Sequence, residues 1–338
     1  MQMVSTNHVF SAFAFIGFFL SGILLPWHLR VKSLGTCFFI VWTGLLCLNG
    51  FVNSVVWDDN TVDWAPVWCD ISSRLEVAGR IAIPATSLSI IRRLYFIISI
   101  DAVTENAQNK SQRWRLMAVD ILLVLGIPLL SIVMAYIIQY QRFSIFEELG
   151  CHYSLSNTVI SYPLYGIWPV VIGLVTAVYA GIVIHVLIRS KTHVKELLKS
   201  DTPDLRYRHS WRLAAIVFAV FLCSFPTSVW YLVEDLTQST PIPWPGWAVA
   251  HASISVITQY SNADWQVSNA VAIYQWERWC YVVYALIFFM LFGFTKEVKE
   301  KYWFAIRFDD GHILPHKPLL PIDSVWKPEQ VHLRPIVV

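Results

Sequence analysis

Long, uninterrupted apolar runs alternate with short polar stretches along this chain, at the length that crosses a bilayer rather than the length that lines a soluble core. A hydrocarbon core takes roughly 20 residues of helix. Residues 9–29, 34–56, 71–97, 116–140, 161–188 and 213–233 each supply such a run. A last uncharged run, 279–294, is too short alone, so a seventh helix is predicted to begin near Val271 and to carry Glu277 and Arg278 within it. Residues 247–258 are also apolar but too short to span. An eighth span there would place Lys296, Lys299 and Lys301 on the wrong side of the membrane.

Charge gives the runs a direction. With seven spans and the N-terminus outside, Arg30, Lys32, Arg92, Arg93, Lys110, Arg113, Arg115 and the basic segment 189–212 all fall on the inner side. The outer loops keep Arg142 as their one Arg or Lys, and the first is acidic, with Asp58, Asp59, Asp63 and Asp70. Only 14% of residues are charged and 56% are hydrophobic, whereas soluble chains carry about 25% charge. The expected class is therefore an all-α membrane protein, a seven-transmembrane helix bundle over 1–294 with a cytosolic C-terminus. A short amphipathic helix on the inner leaflet is predicted at 295–308, with Val298, Tyr302 and Ile306 opposite lysines, before a disordered tail at 309–338. Of six cysteines, Cys69 and Cys151 are the outer pair, where an oxidising compartment favours a disulfide; two free thiols are the alternative. None has metal-ligand spacing, and neither a metal nor a cofactor is expected.

Several long stretches carry a family likeness: LPWHLR, GTCFFIVWTGLLCLNGFVNSVVW, APVWCDISSRLEVAGRIAIPATSLSIIRRLYFI, RWRLMAVDILLVLGIP, QYQRFSIFEELGCHYS and ERWCYVVYALIFFMLFGFTKE. Together they resemble the fungal a-factor-type mating-pheromone receptors, whose mushroom homologues sit at the B mating-type locus. The resemblance implies a class D G-protein-coupled receptor in the plasma membrane. Its implied agonist is a short peptide ending in a farnesylated, carboxymethylated cysteine. A heterotrimeric G protein feeding a MAP-kinase mating response is the implied inner partner, and a homodimer stands open beside a monomer. Arg92 and Arg93, with Arg208 and Arg212 of the basic third inner loop, then stand where the α subunit would dock; anchoring to anionic headgroups is the plainer role. No enzyme activity and no nucleic-acid partner are implied.

Charges inside the membrane are costly, so they are paired or functional. Arg80 lies roughly 18 Å from Arg92 along a helix, well inside the outer third of the bilayer. Glu76 and Arg80 are spaced i,i+4, so they share a helix face and can pair, and Asp70 and Arg74 repeat that spacing at the outer interface. Glu76, Arg80, Glu277 and Arg278 are candidate polar contacts for the peptide, or else an internal salt-bridge network. Trp68, Tyr165, Trp168, Trp230, Tyr231 and Tyr281 are candidates for an apolar lipid slot, although such rings also form ordinary interfacial belts. Pro84 and Pro226 are candidate helix kinks, the second able to let the inner half of span six swing. A transporter would bring internal repeats with paired broken helices, and an intramembrane hydrolase a GxSxG or HExxH cluster; neither occurs here.

Overall fold

The computed structural model describes residues 6–30, 33–99, 110–189, 203–238, 240–266 and 271–294. Helix α1 runs Thr6–Arg30, α2 Leu34–Val56 and α3 Pro66–Ser99. Helices α4 (Lys110–Ile121) and α5 (Ile127–Ile138) are joined by one π-helical turn at Leu122–Gly126. A second π turn, Tyr162–Gly166, leads into α6 (Trp168–Arg189), and α7 is Pro203–Gln238. The one-turn helices α8 (Trp247–Ala250) and α9 (Asn262–Trp265) precede α10, Val271–Phe292. The helix expected at 295–308 and the tail at 309–338 lie outside the described residues, as does most of the third polar loop.

Among the described residues five stretches are long and apolar enough to cross a membrane: Thr6–Leu29, Leu34–Val56, Trp114–Ile138, Tyr162–Ile188 and Arg208–Thr237. The remaining long helices, α3 and α10, are the ones that carry charge deep within their length. Helix α3 is the axle of the bundle and packs on α2, α5, α6 and α7. Between Val77 and Leu94 its side chains are buried nearly all round, which is why its sequence shows no polar stripe. Helix α1 packs on α2 and α10, and α7 bridges α6 and α10.

The all-α expectation needs one correction, a three-stranded sheet capping one end of the bundle. Strands β1 (Phe143–Phe146) and β2 (Gly150–His152) form an antiparallel hairpin. Strand β3 (Ile257–Tyr260) joins β1 in parallel, giving the order β2-β1-β3. The sequence reading missed the sheet because FSIF and GCH are too short for period-two alternation to register. A disulfide ties Cys151 of β2 to Cys69 at the head of α3, with Cα atoms 5.1 Å apart. Gly150 turns the hairpin at φ +79° directly over α2, where a Cβ would come within 2.5 Å of the Asn53 side chain. Residues 247–258 form α8, turns and the start of β3, not a span.

Both Pro84 and Pro226 are carried inside continuous helices. Two π turns lie in other segments, one two residues before Pro128 and one containing Pro163.

Candidate functional site

Beneath the sheet, α3, α7 and α10 direct charged and phenolic side chains at one another. Arg80 of α3 places Nε 3.5 Å from Glu277 Oε1 of α10. Its Nη1 donates to Tyr153 Oη, and its guanidinium lies 3.7 Å from the ring centroid of Tyr231 on α7. Tyr165 flanks the same cation at 5.8 Å. Glu277 in turn accepts from Tyr231 and, at 3.0 Å, from Tyr281. Tyr153 lies in the loop after β2, where burial holds its phenol protonated well above the ordinary range against the opposing pull of Arg80. It therefore meets Arg80 as a neutral acceptor. Cation, carboxylate and rings together satisfy one another in a site where either charge alone would be costly.

The i,i+4 pairing open to Glu76 and Arg80 is not the contact that forms. Glu76 instead places Oε2 2.9 Å from His152 Nδ1 of β2, while Asn49 of α2 approaches its other oxygen at 3.5 Å. Asp70 and Arg74, which share the same spacing, likewise bond outside their helix: Asp70 binds Arg142 at 2.6 Å and Arg74 donates to Gln139 at 2.6 Å. In both cases the partner comes from another segment. Burial opposes a charged His152, but the Glu76 carboxylate, with Glu277 beyond it, outweighs burial and raises its pKa above 6.5.

Glu277 and Arg278 face different ways, as adjacent helical residues must. Arg278 turns toward α1, where it donates to Asn7 Oδ1 and to the Glu148 carbonyl of the hairpin turn, each at 3.1 Å, and stacks over Phe10. Between these groups lies a small cavity of about 40 Å³, bordered by α2, α3, α10 and the hairpin. The aromatic candidates divide. Tyr165, Tyr231 and Tyr281 belong to the buried cluster. Trp168 and Trp230 stand on the outer face of the bundle, 44% and 39% exposed, and do not line it. Trp68 packs under the sheet and donates to Asn53 Oδ1 at 2.8 Å. His152, Tyr153, Asn49 and Tyr274 were not picked out from the sequence, because nothing in a loop histidine or a span asparagine marks its partner in advance.

At the opposite end Arg92 is turned inward. It binds Asp120 Oδ1 on α4 at 2.6 Å, and Ser89 donates to the same oxygen at 2.9 Å. Asp120 could have been found from the sequence as an acid inside an expected span. Arg93 and Arg212 are half-buried there and Arg208 is exposed. Among the described residues no group of His, Cys, Asp and Glu is arranged to hold a metal.

Comparison with known proteins bears on this architecture. The family model described as STE3, pheromone A receptor, matches residues 9–311. The chain is 39% identical over 299 residues to the pheromone B alpha 3 receptor of Schizophyllum commune, covering 88% of this chain and 47% of that one. Pheromone receptor 1 of Mycosarcoma maydis is 29% identical over 300 residues, covering 88% and 82%. The pheromone a factor receptor of Saccharomyces cerevisiae is 27% identical over 286 residues, covering 82% and 57%. The chain spans about half the length of the Schizophyllum receptors it matches. A match of that extent, on a bundle with helices long and apolar enough to cross a membrane, places this chain in the STE3 pheromone A receptor family.

Proposed function

We propose that this protein is a mating-pheromone receptor of the plasma membrane that binds a farnesylated, carboxymethylated peptide. On this reading it spans the membrane seven times, N-terminus outside, and activates a heterotrimeric G protein feeding a MAP-kinase mating response. The observation that carries the reading is the Arg80–Glu277 cluster, which joins α3, α7 and α10 under a loop-built cap. A peptide that competes for either charge changes how three helices are held together. Such a ligand biases a two-state arrangement through its differential contacts. The basic residues Arg93, Arg208 and Arg212 lie toward the other end of the same helices, where the G protein would dock, and Pro226 lies between them and the cluster on α7. Arg92 is held by Asp120 there, so docking would release or replace that bond.

The test is a reporter cell expressing the chain and challenged with a panel of short peptides bearing prenylated, carboxymethylated C-terminal cysteines. Wild type responds to at least one peptide. Arg80→Gln and Glu277→Gln each lose that response. Leaving one buried charge unpaired costs about 3–5 kcal/mol, so surface expression of either single variant is expected to fall. The double variant, which removes both charges, recovers expression and still fails to respond. A double variant that responds like wild type overturns the role of the cluster, and silence of the wild type at the surface overturns the ligand class.

A further inference from the structure

The cavity of about 40 Å³ beside the arginine cluster is bordered by Asn49, Asn53, Glu76, His152, Tyr274 and Arg278 among others. Three of these carry buried atoms with no hydrogen-bond partner: an acceptor on Asn49 (Oδ1), a donor on Arg278 (Nε), and Glu76 Oε2, which is matched only by its ion pair with His152. Asn49 is only 3% exposed, and its amide nitrogen is committed to Glu76 at 3.5 Å. Arg278 spends Nη1 on Asn7 and on the Glu148 carbonyl. A buried polar atom left without a partner costs about 1–3 kcal/mol, so such atoms on residues that border one cavity mark a place that something else completes. We infer that Asn49 and Arg278 form a subsite for a neutral amide group of the bound peptide, in its main chain or in an Asn or Gln side chain.

The chemistry selects an amide over a charged group. An anion entering here would meet the carboxylates of Glu76 and Glu277, and a cation would meet Arg278 and His152. An amide supplies an N–H for Asn49 and a C=O for Arg278 and adds no charge. The cavity has room for about two or three waters, so a peptide amide enters by displacing them and moving the hairpin outward. Because Asn49 lies on α2, away from Arg80, the subsite would help decide which peptide is accepted while the cluster carries the response. The inference rests on the receptor reading above.

The experiment measures binding of the same prenylated peptides to membranes from cells expressing the full chain. Each peptide N–H is methylated in turn, and each Asn or Gln side chain is replaced by Leu. On wild type, one substitution is expected to lower affinity about tenfold. Asn49→Leu is expected to lose about tenfold for the unmodified peptide and nothing further for that one analogue, the signature of a direct pair. Additive losses at every position overturn the subsite, leaving ordered water only. Should Asn49→Leu not reach the surface, the scan on wild type decides alone, and the absence of any amide-sensitive position overturns the inference. If no prenylated peptide binds wild type at the surface, the receptor reading fails first and the subsite with it.

Discussion

His152 shows how much a single side chain contributes when two segments meet on it. It follows the disulfide cysteine in β2 and reaches Glu76 on α3 at 2.9 Å, with Phe146, Tyr153 and Tyr274 as ring neighbours. The charged and titratable groups facing it are Glu76 of α3, Glu277, Arg278 and Tyr274 of α10, and Tyr153 of its own loop. Its pKa is raised above 6.5 in the folded protein. A histidine raised by a partner gives stability that is complete below the unfolded value and is lost as pH rises through the folded one. The melting temperature of the detergent-solubilised receptor should therefore fall as pH rises from about 6.5 through the raised pKa of His152. His152→Asn should flatten that part of the curve; superimposable profiles would rule out the ion pair as a stabilising contact. Glu76 was legible in the sequence as a charge in an apolar run, but its partner was not, because only the hairpin brings position 152 over position 76.

Among the elements, the α4–α5 junction gives a physical account of one interhelical contact. Pro128 has no N–H to return to the turn before it, and the ladder there relaxes into a π turn over Leu122–Gly126. The indole Nε1 of Trp42 on α2 donates to the Val124 carbonyl of that turn at 3.0 Å. One helix thus satisfies a backbone acceptor of another where water cannot. Trp42→Phe keeps the ring and removes the donor, and should destabilise the protein by about 1–3 kcal/mol. Thermal unfolding of the purified receptor measures this. Pro128→Ala, which returns an N–H to the backbone, should reduce the penalty in the double variant; an unchanged penalty would show that the indole bond does not compensate the turn. The run RWRLMAVDILLVLGIP announced a helix with a proline in it. That the indole of Trp42 would satisfy the Val124 carbonyl was not legible there, because only the packing of α2 brings the donor to it.

At the scale of the molecule, the cap and the bundle are fastened at several points. The disulfide Cys69–Cys151 closes 82 residues of chain. Glu148 N–H bonds to the Trp57 carbonyl at 2.7 Å, and Asn53 holds both Ser72 and Trp68 beneath the hairpin. By chain entropy a closed loop of that size stabilises by up to about 4–5 kcal/mol. Cys69→Ser/Cys151→Ser should lower the melting temperature and weaken binding of a prenylated peptide to surface-expressed receptor. Unaltered binding with lowered stability would separate the cap from recognition.

The sequence by itself placed helix on the apolar runs, since length and apolarity suffice for that; the structure has helices over Leu34–Val56 and from Val271, and α3 and α7 extend past their apolar runs to Pro66–Ser99 and Pro203–Gln238. It also determined which residues carry charge into the bundle, because Asp, Glu and Arg in apolar runs declare themselves. What only the tertiary structure decided was the pairing: Arg80 with Glu277 rather than Glu76, Glu76 with His152, and Asp70 with Arg142. Helical spacing says which side chains share a face. It does not say which face of another helix, or which loop folded back over it, will arrive closer.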